Sequence, residues 1–316
     1  MIVLIEPVRA PGFVSGGYRY QAEIMRRLAT QGLGELRAVA PGELATAVAT
    51  AQRERPDAKI VIDGLFASQQ RLLLPRATIA LLHGVPEHEP WCEVPLPVIA
   101  TSQTTASAVR GVARSIAVVR PGLDACFVPG PARAAAPRIR VVCVGTVSPD
   151  KGQHRIATAL ARPDLAARCE LVLVGNTSCH PDYTAAVRGA AGPLPLHVLG
   201  AVPASSVAAE LHAADLFVSA SRRESFGMAT AEAAACGVPV LAFHTGEIDT
   251  FVWTGHNGWL VPADADDTTF ARQIVELAAT PALLEVARAR ARRPALLDWD
   301  AVAKLFADAC RTAAFD

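Results

Sequence analysis

Glu224 and Glu232 are two acids separated by seven residues. They lie in Ser219-Ala-Ser-Arg-Arg-Glu-Ser-Phe-Gly-Met-Ala-Thr-Ala-Glu-Ala-Ala-Ala-Cys-Gly-Val-Pro-Val240, the segment with the most chemistry in it. An apolar run leads there into a polar turn, Gly227 opens an alanine-rich helix, and Gly237 closes it. At the start of that helix the amides of Gly227 and Met228 have no partner within the helix, and with the helix dipole behind them they suit an anion such as a phosphate. Glu224 falls on the loop and Glu232 about one and a half turns into the helix, so the carboxylates reach different depths of one pocket. They repel phosphate and suit neutral, hydroxyl-rich groups. Lys151, set between Gly145 and Gly152, is one of only three lysines and reads as a phosphate contact. Gly16-Gly17 follows the first apolar run, where a bare backbone admits a ligand closely. His83 ends another such run.

Two kinds of element must position these residues. Short apolar runs without polar alternation, separated by helical patterns, indicate parallel strands buried on both faces. In the first half, strands are expected at 2–5, 36–40, 59–62, 78–82, 98–101 and 116–119, with helices at 17–30, 43–53 and 104–114. A second series places strands at 139–144, 171–174, 196–199, 216–219, 238–242 and 258–261, and helices near 153–161, 183–190, 205–213, 228–236 and 267–279. Between the series, Val128-Pro-Gly-Pro-Ala-Arg-Ala-Ala-Ala-Pro137 is proline-rich and aperiodic, as a linker is. The expected organisation is α/β: two Rossmann-like, doubly wound domains, 1–128 and 138–297, joined by a linker at 129–137. The ligand cleft is expected between them, at the carboxyl ends of their strands. A last helix over 298–314 puts Trp299, Val302, Leu305, Phe306 and Ala309 on one face, which is expected to pack back onto the first domain.

Composition narrows the function. The 316 residues carry 30 basic and 30 acidic side chains, a balance that excludes a general nucleic-acid binder and a polybasic membrane anchor. With 51% hydrophobic positions the chain can build large cores, which excludes wholesale disorder. No apolar stretch reaches the ~18 residues of a transmembrane helix. The opening residues lack a basic n-region and read as a strand, not a signal peptide. The seven scattered cysteines have no CxxC pair and read as reduced thiols in the cytoplasm, not as a disulfide frame or zinc site.

The segment around Glu224 and Glu232 resembles the E-x7-E region of retaining glycosyltransferases of family 4, which have the GT-B fold. Other blocks resemble that family's in order. Ser15-Gly16-Gly17-Tyr18 is similar to its glycine-rich turn, and Val119-Arg-Pro-Gly-Leu-Asp124 to its PNGVD block. Val142-Cys-Val-Gly-Thr-Val-Ser-Pro-Asp-Lys-Gly152 is similar to FVGRLxxxKG. Thr245-Gly-Glu-Ile-Asp249 and Gly255-His-Asn-Gly-Trp-Leu-Val-Pro262 are similar to GGxxE and GxNGxLVP. The resemblance covers most of the second domain and the first only thinly.

The resemblance implies two Rossmann-like domains facing a central cleft, with the C-terminal helix, 298–316, crossing back to the first. It implies a cytoplasmic, metal-independent hexosyltransferase that takes a sugar from a nucleoside diphosphate sugar, UDP or GDP, and retains its anomeric configuration by a front-face route. The acceptor would be a small molecule, a glycan or a lipid-linked group; beyond the donor, neither cofactor nor metal is implied. Residue by residue, Lys151 would bind the donor diphosphate, Glu232 the ribose diol and Glu224 the sugar hydroxyls. Gly16 and Gly17 would admit the diphosphate or sugar, and His83 would stand near the anomeric carbon. Phe226, Gly227, Met228, Thr146, Thr245, Gly246 and Val202 would complete the donor pocket.

Departures from the family pattern set further expectations. Thr146 stands where the family usually has an arginine, so Arg222, Arg223 or Arg155 is expected to supply the missing charge. Thr245 replaces the first glycine of GGxxE, and Asp249 its acid. Rival readings are a nucleotide-sugar epimerase, a sugar phosphorylase and a non-catalytic nucleotide-sugar-binding subunit. Asp264-Ala-Asp266 and Asp298-Trp-Asp300 each precede a helix and read as caps, not as a metal site. His83, Glu87, His88 and Glu89 lack metal-ligand spacing. Phe127, Trp91, Trp253 and Trp259 are expected in cores or cleft walls. Arg19, Arg26 and Arg27 read as a solvated helix face, with peripheral contact to the inner membrane face as the alternative.

Overall fold

The computed structural model of the chain describes residues 1–9, 15–66, 78–86, 95–131 and 136–313. The trio Glu87, His88 and Glu89, with Trp91 and part of the expected linker, lies outside the described residues. Two compact units are present: one holds most of the chain up to Leu123 and resumes at Leu296, and the other runs from Asp124 to Ala295.

The first unit contains β1 (Ile2–Pro7), α1 (Gly16–Thr30), β2 (Gly34–Val39), α2 (Leu44–Glu54), β3 (Lys59–Asp63), β4 (Thr78–Leu82), β5 (Pro97–Ala100), α3 (Gln103–Ala108) and β6 (Ser115–Val118). Its sheet is parallel throughout, in the order β2-β1-β3-β4-β5-β6. The second unit contains β7 (Ile139–Val144), α4 (Gln153–Leu160), α5 (Pro163–Ala166), β8 (Cys169–Val174), α6 (Pro181–Ala191) and β9 (Leu196–Gly200). There follow α7 (Ala204–Ala213), β10 (Leu216–Ser219), α8 (Met228–Ala235), β11 (Val240–His244), β12 (Gly258–Pro262), α9 (Asp267–Ala279) and α10 (Pro281–Arg290). Its strands run β12-β11-β10-β7-β8-β9, again all parallel.

Both sheets are doubly wound, and each has one place where the strand order reverses. In the first sheet it lies between β1 and β3, and in the second between β7 and β10. At such a point the loops leaving the two carboxyl ends diverge to opposite faces and leave a crevice, where ligands of this architecture bind. Continuous apolar strands make this possible: every residue of β1 and of β4 is buried.

The last helix, α11 (Trp299–Thr312), belongs to the first unit. Trp299 and Phe306 meet Tyr20 of α1 edge to face, with ring centroids 6.0 and 6.3 Å apart. The Tyr20 hydroxyl donates to the Val119 carbonyl at 2.9 Å. The inward face consists of Trp299, Val302, Ala303, Phe306, Ala307, Ala309 and Cys310. Leu305 is not on it, being 45% exposed; at ~100° per residue it falls between inward neighbours and turns to solvent.

Other expectations also change. Helix α3 stops at Ala108, well short of Arg114, and α10 starts at Pro281 where no helix was expected. Trp253 is 41% exposed and belongs to no core, whereas Phe127 is buried. Asp266 and Asp298 cap α9 and α11, accepting from the Thr269 and Ala301 amides at 2.7 Å. No helix among the described residues is long and apolar enough to cross a membrane.

Candidate functional site

In the second unit, the two strands at the order reversal deliver the charged residues. From β7 the chain passes Gly145 and Thr146, makes a short turn at Pro149–Lys151 and enters α4. Gln153 secures this loop, donating to the Thr146 carbonyl at 2.9 Å while its amide oxygen accepts from the Ser148 amide at 3.3 Å. From β10 the chain passes Ala220 and Ser221 and reaches Glu224. The Lys151 ammonium and the Glu224 carboxylate are joined as an ion pair, both partly exposed. Residues 73 positions apart thus meet because β7 and β10 are neighbours in the sheet.

Helix α8 starts beside them. Gly227 precedes it with φ +86°, a left-handed conformation that a side chain disfavours, and no side chain caps the helix. A Cβ at Gly227 would also stand 2.9 Å from Ile248. The first amides of α8, at Met228 and beyond, therefore meet no capping side chain. Glu232 is 4% exposed within α8. Phe226 turns its ring inward onto Phe251, centroids 5.7 Å apart, and so offers a ligand its main chain only.

The loop after β11 closes on the same place. Gly246, at φ +58°, lies so tightly against the carbonyls of Glu224 and Ser225 that no side chain fits there. Its neighbour Thr245 has a buried hydroxyl without a hydrogen-bond partner. In this loop Asp249 is half-exposed and faces His244 at 3.2 Å, whereas Glu247 is the buried acid, 4% exposed. Sequence reading singled out Asp249 by position and passed over Glu247; the apolar Ile248 beside it was the available signal. Val202 is half-buried just after β9, the edge strand, two strands from β7.

All three candidate replacement arginines have carboxylate partners. Arg155 and Arg222 share Asp267, each at 2.7 Å, and Arg222 also lies over the Phe243 ring at 4.3 Å. Arg223 faces Asp150 at 3.1 Å on the exposed surface. Only Arg155 packs against Gly152, the residue after Lys151.

In the first unit, Gly16 and Gly17 form the first turn of α1. A Cβ on Gly17 would stand 3.0 Å from the His83 ring, so the glycine makes room for the histidine. His83 is half-buried, and its partial desolvation lowers its pKa to about 4. Sequence reading did not select Gln21, which meets it, nor Asp63, Glu6 and Arg9, which form a polar group of their own in the same unit. The Gln21 amide nitrogen is 2.9 Å from His83 Nε2. Glu6 holds Arg9 Nε at 3.0 Å, and Asp63 ends β3 completely buried.

Comparison with known proteins agrees with this picture. Residues 138–280 match the family model described as glycosyl transferases group 1. The chain is 31% identical over 222 residues to the D-inositol 3-phosphate glycosyltransferase of Streptomyces bingchenggensis, covering 61% of this chain and 47% of the relative. It is 31% identical over 229 residues to that of Kineococcus radiotolerans, covering 64% and 52%. The chain thus spans about half the length of the relatives it matches. Among solved structures, sucrose-phosphate synthase from Thermosynechococcus elongatus superposes with TM-score 0.75 at 18% identity, 98% of each chain being covered. Anabaena HepE in complex with UDP-glucose gives 0.69 at 20% identity, covering 99% of this chain and 100% of that one. These likenesses place the α/β fold with the GT-B structures.

Proposed function

We propose that this chain, whose residues 138–280 match the family model described as glycosyl transferases group 1, is a hexosyltransferase that moves a sugar from a nucleoside diphosphate sugar to a hydroxyl acceptor. The observation that carries the reading is the Lys151–Glu224 ion pair at the strand-order reversal of the second sheet, beside the uncapped start of α8. A cation, helix amides and a carboxylate together match a diphosphate next to a sugar. The donor would exchange the internal pair for two contacts of its own, diphosphate on Lys151 and sugar hydroxyls on Glu224. Glu232 would hold the ribose diol. A UDP sugar is the first candidate, since HepE was solved with UDP-glucose.

As the glycosidic bond lengthens, negative charge grows on the leaving diphosphate. Lys151, the α8 amides and the main chain at Thr245-Gly246 would stabilise that charge with no metal ion. Arg155, which lies against Gly152, would be the arginine that makes up for Thr146. Among the described residues no side chain stands out as a nucleophile, so we assign a front-face route with retention, the departing phosphate assisting deprotonation of the acceptor. The reaction would take place in the cytoplasm.

The test is a thermal-shift screen of nucleotide sugars followed by transfer assays with candidate acceptors, including inositol phosphates. Glu232→Ala is expected to weaken donor binding, and Glu224→Ala chiefly to lower turnover. Full transfer by both variants would overturn the site. A changed sugar in the nucleotide product without an acceptor would identify an epimerase instead.

A further inference from the structure

In the second unit, α4 and α9 lie side by side, and a groove of about 470 Å³ runs along them. The inner faces of the two helices are spent on the core, where Ile156, Leu160, Phe270 and Ile274 are fully buried. The groove is built from the neighbouring stripes. Arg155, Ala159 and Arg162 line it from α4 and its end, and Asp267, Ala271 and Val275 from α9, residues three or four apart that share one side of a helix. At 1.5 Å per residue the stripe from Asp267 to Val275 is about 12 Å long. Alanines at 159 and 271 leave open the space that larger side chains would fill, so the floor is apolar and concave.

The rim is cationic. Of the charged residues that line the groove, three are arginines, Arg155, Arg162 and Arg272, and one is an acid, Asp267. That acid is already shared, at 2.7 Å each, by Arg155 and by Arg222, two residues before Glu224. Arg162 meets Asp164 at 3.2 Å with both side chains more than half exposed, a pairing that water screens. Arg272 donates to the Thr269 hydroxyl at 3.3 Å, while Asp266, which also acts on it, is engaged in capping α9.

An apolar floor under a cationic rim selects an anion with an apolar body, and the planar arginine fork suits a carboxylate. Size decides what kind. The groove has the volume of a small-molecule site, whereas a protein partner would need about 800 Å² of surface. We propose that the groove between α4 and α9 binds a free medium-chain acyl carboxylate, its chain on Ala159, Ala271 and Val275 and its carboxylate among the arginines. Arg155 lines this groove and also lies against Gly152, the residue after Lys151. An anion that holds Arg155 in the groove therefore weakens donor binding; this consequence rests on Arg155 serving the donor as proposed above, and the site itself does not.

The test is titration calorimetry of the full chain with octanoate, decanoate and dodecanoate below their micelle concentrations. One saturable site is expected, with affinity rising along the series until the chain outgrows the groove. Decanol and inorganic phosphate each lack half of the chemistry and are expected to bind about tenfold more weakly than decanoate, or less. Ala271→Trp fills the floor and is expected to abolish decanoate binding, and Arg272→Ala to weaken it about fivefold; the second variant suffices if the first does not fold. Absence of saturable binding, equal binding of decanol, or binding unchanged in the folded variants would overturn the proposal. The donor is then titrated with and without saturating decanoate. A weakened donor upholds the link through Arg155, and an unchanged one overturns that link and leaves the site. Failure of every nucleotide sugar to bind would count against the proposed function, while the decanoate titration still reports on the groove.

Discussion

The Lys151–Glu224 pair gives the protein a local neutrality, which a nucleotide sugar bound as proposed would have to break, both side chains being held in position before it arrived. Competition for cations follows. Arg155 packs against Gly152, the residue after Lys151, and is paired with Asp267, whereas Arg223 lies at the surface with Asp150. A charge-assisted hydrogen bond contributes about 1.5–3 kcal/mol. Arg155→Ala is therefore expected to weaken donor binding about ten- to a hundredfold, while Arg223→Ala leaves it within a factor of two; titration calorimetry with the best donor separates them. Gly17→Ala offers a second contrast. Alanine is favoured over glycine in a helix by ~1 kcal/mol, but its methyl would stand 3.0 Å from the His83 ring and must displace it. Unchanged or raised thermal stability with lowered kcat is expected, and equal kcat would separate the ring's placement from turnover. Glu224, Glu232 and Lys151 were legible in sequence because each sits in a local motif. Gln21 and Asp63 were not, since their meaning depends on β1, β3 and β4 becoming neighbours.

The elements were legible for the same kind of reason. The central strands of both sheets are buried on two faces and read as apolar runs, the edge strands β2 and β9 alternate half-buried and exposed positions, and all of them fall within two residues of where the runs place them. Helix ends depend on weaker local terms. Helix α3 was extended to Arg114 by composition, yet its backbone leaves helical geometry at Val109. Leu305 was assigned inward by apolar character alone. Two features that help fasten α11 are its cap and the large side chain of Trp299. Asp298→Ala removes the hydrogen bond to the Ala301 amide and is expected to cost about 1 kcal/mol. Trp299 is 1% exposed, and Gly122 leaves the space its ring and backbone occupy. Trp299→Ala is expected to cost about 3–5 kcal/mol. Urea denaturation of both variants checks the order; a smaller loss for Trp299→Ala than for Asp298→Ala would mean that α11 contributes little to its unit.

At the scale of the whole molecule, buried Asp63 and half-buried His83 give opposing dependences on pH. Asp63 is an acid whose folded pKa of about 6 lies above its ordinary 3.8. Between those values the folded protein holds a proton that the unfolded chain lacks, so stability falls as pH rises, by about 3 kcal/mol in all. His83 is a base whose folded pKa of about 4 lies below its ordinary 6.5. Over that window the unfolded chain holds the extra proton, so stability rises with pH by about 3 kcal/mol. The windows nearly coincide, and the contributions of the two groups cancel across them in the wild-type protein. Removing either exposes the other. From about pH 4 to 6.5, Asp63→Asn is expected to gain about 3 kcal/mol relative to the wild-type curve, and His83→Gln to lose a similar amount. Because a chain of two units need not unfold in one step, urea unfolding should be followed by hydrogen exchange in the segments 2–7 and 59–63, which report the first unit alone. Parallel curves for the three proteins would mean that neither group titrates differently in the folded and unfolded states.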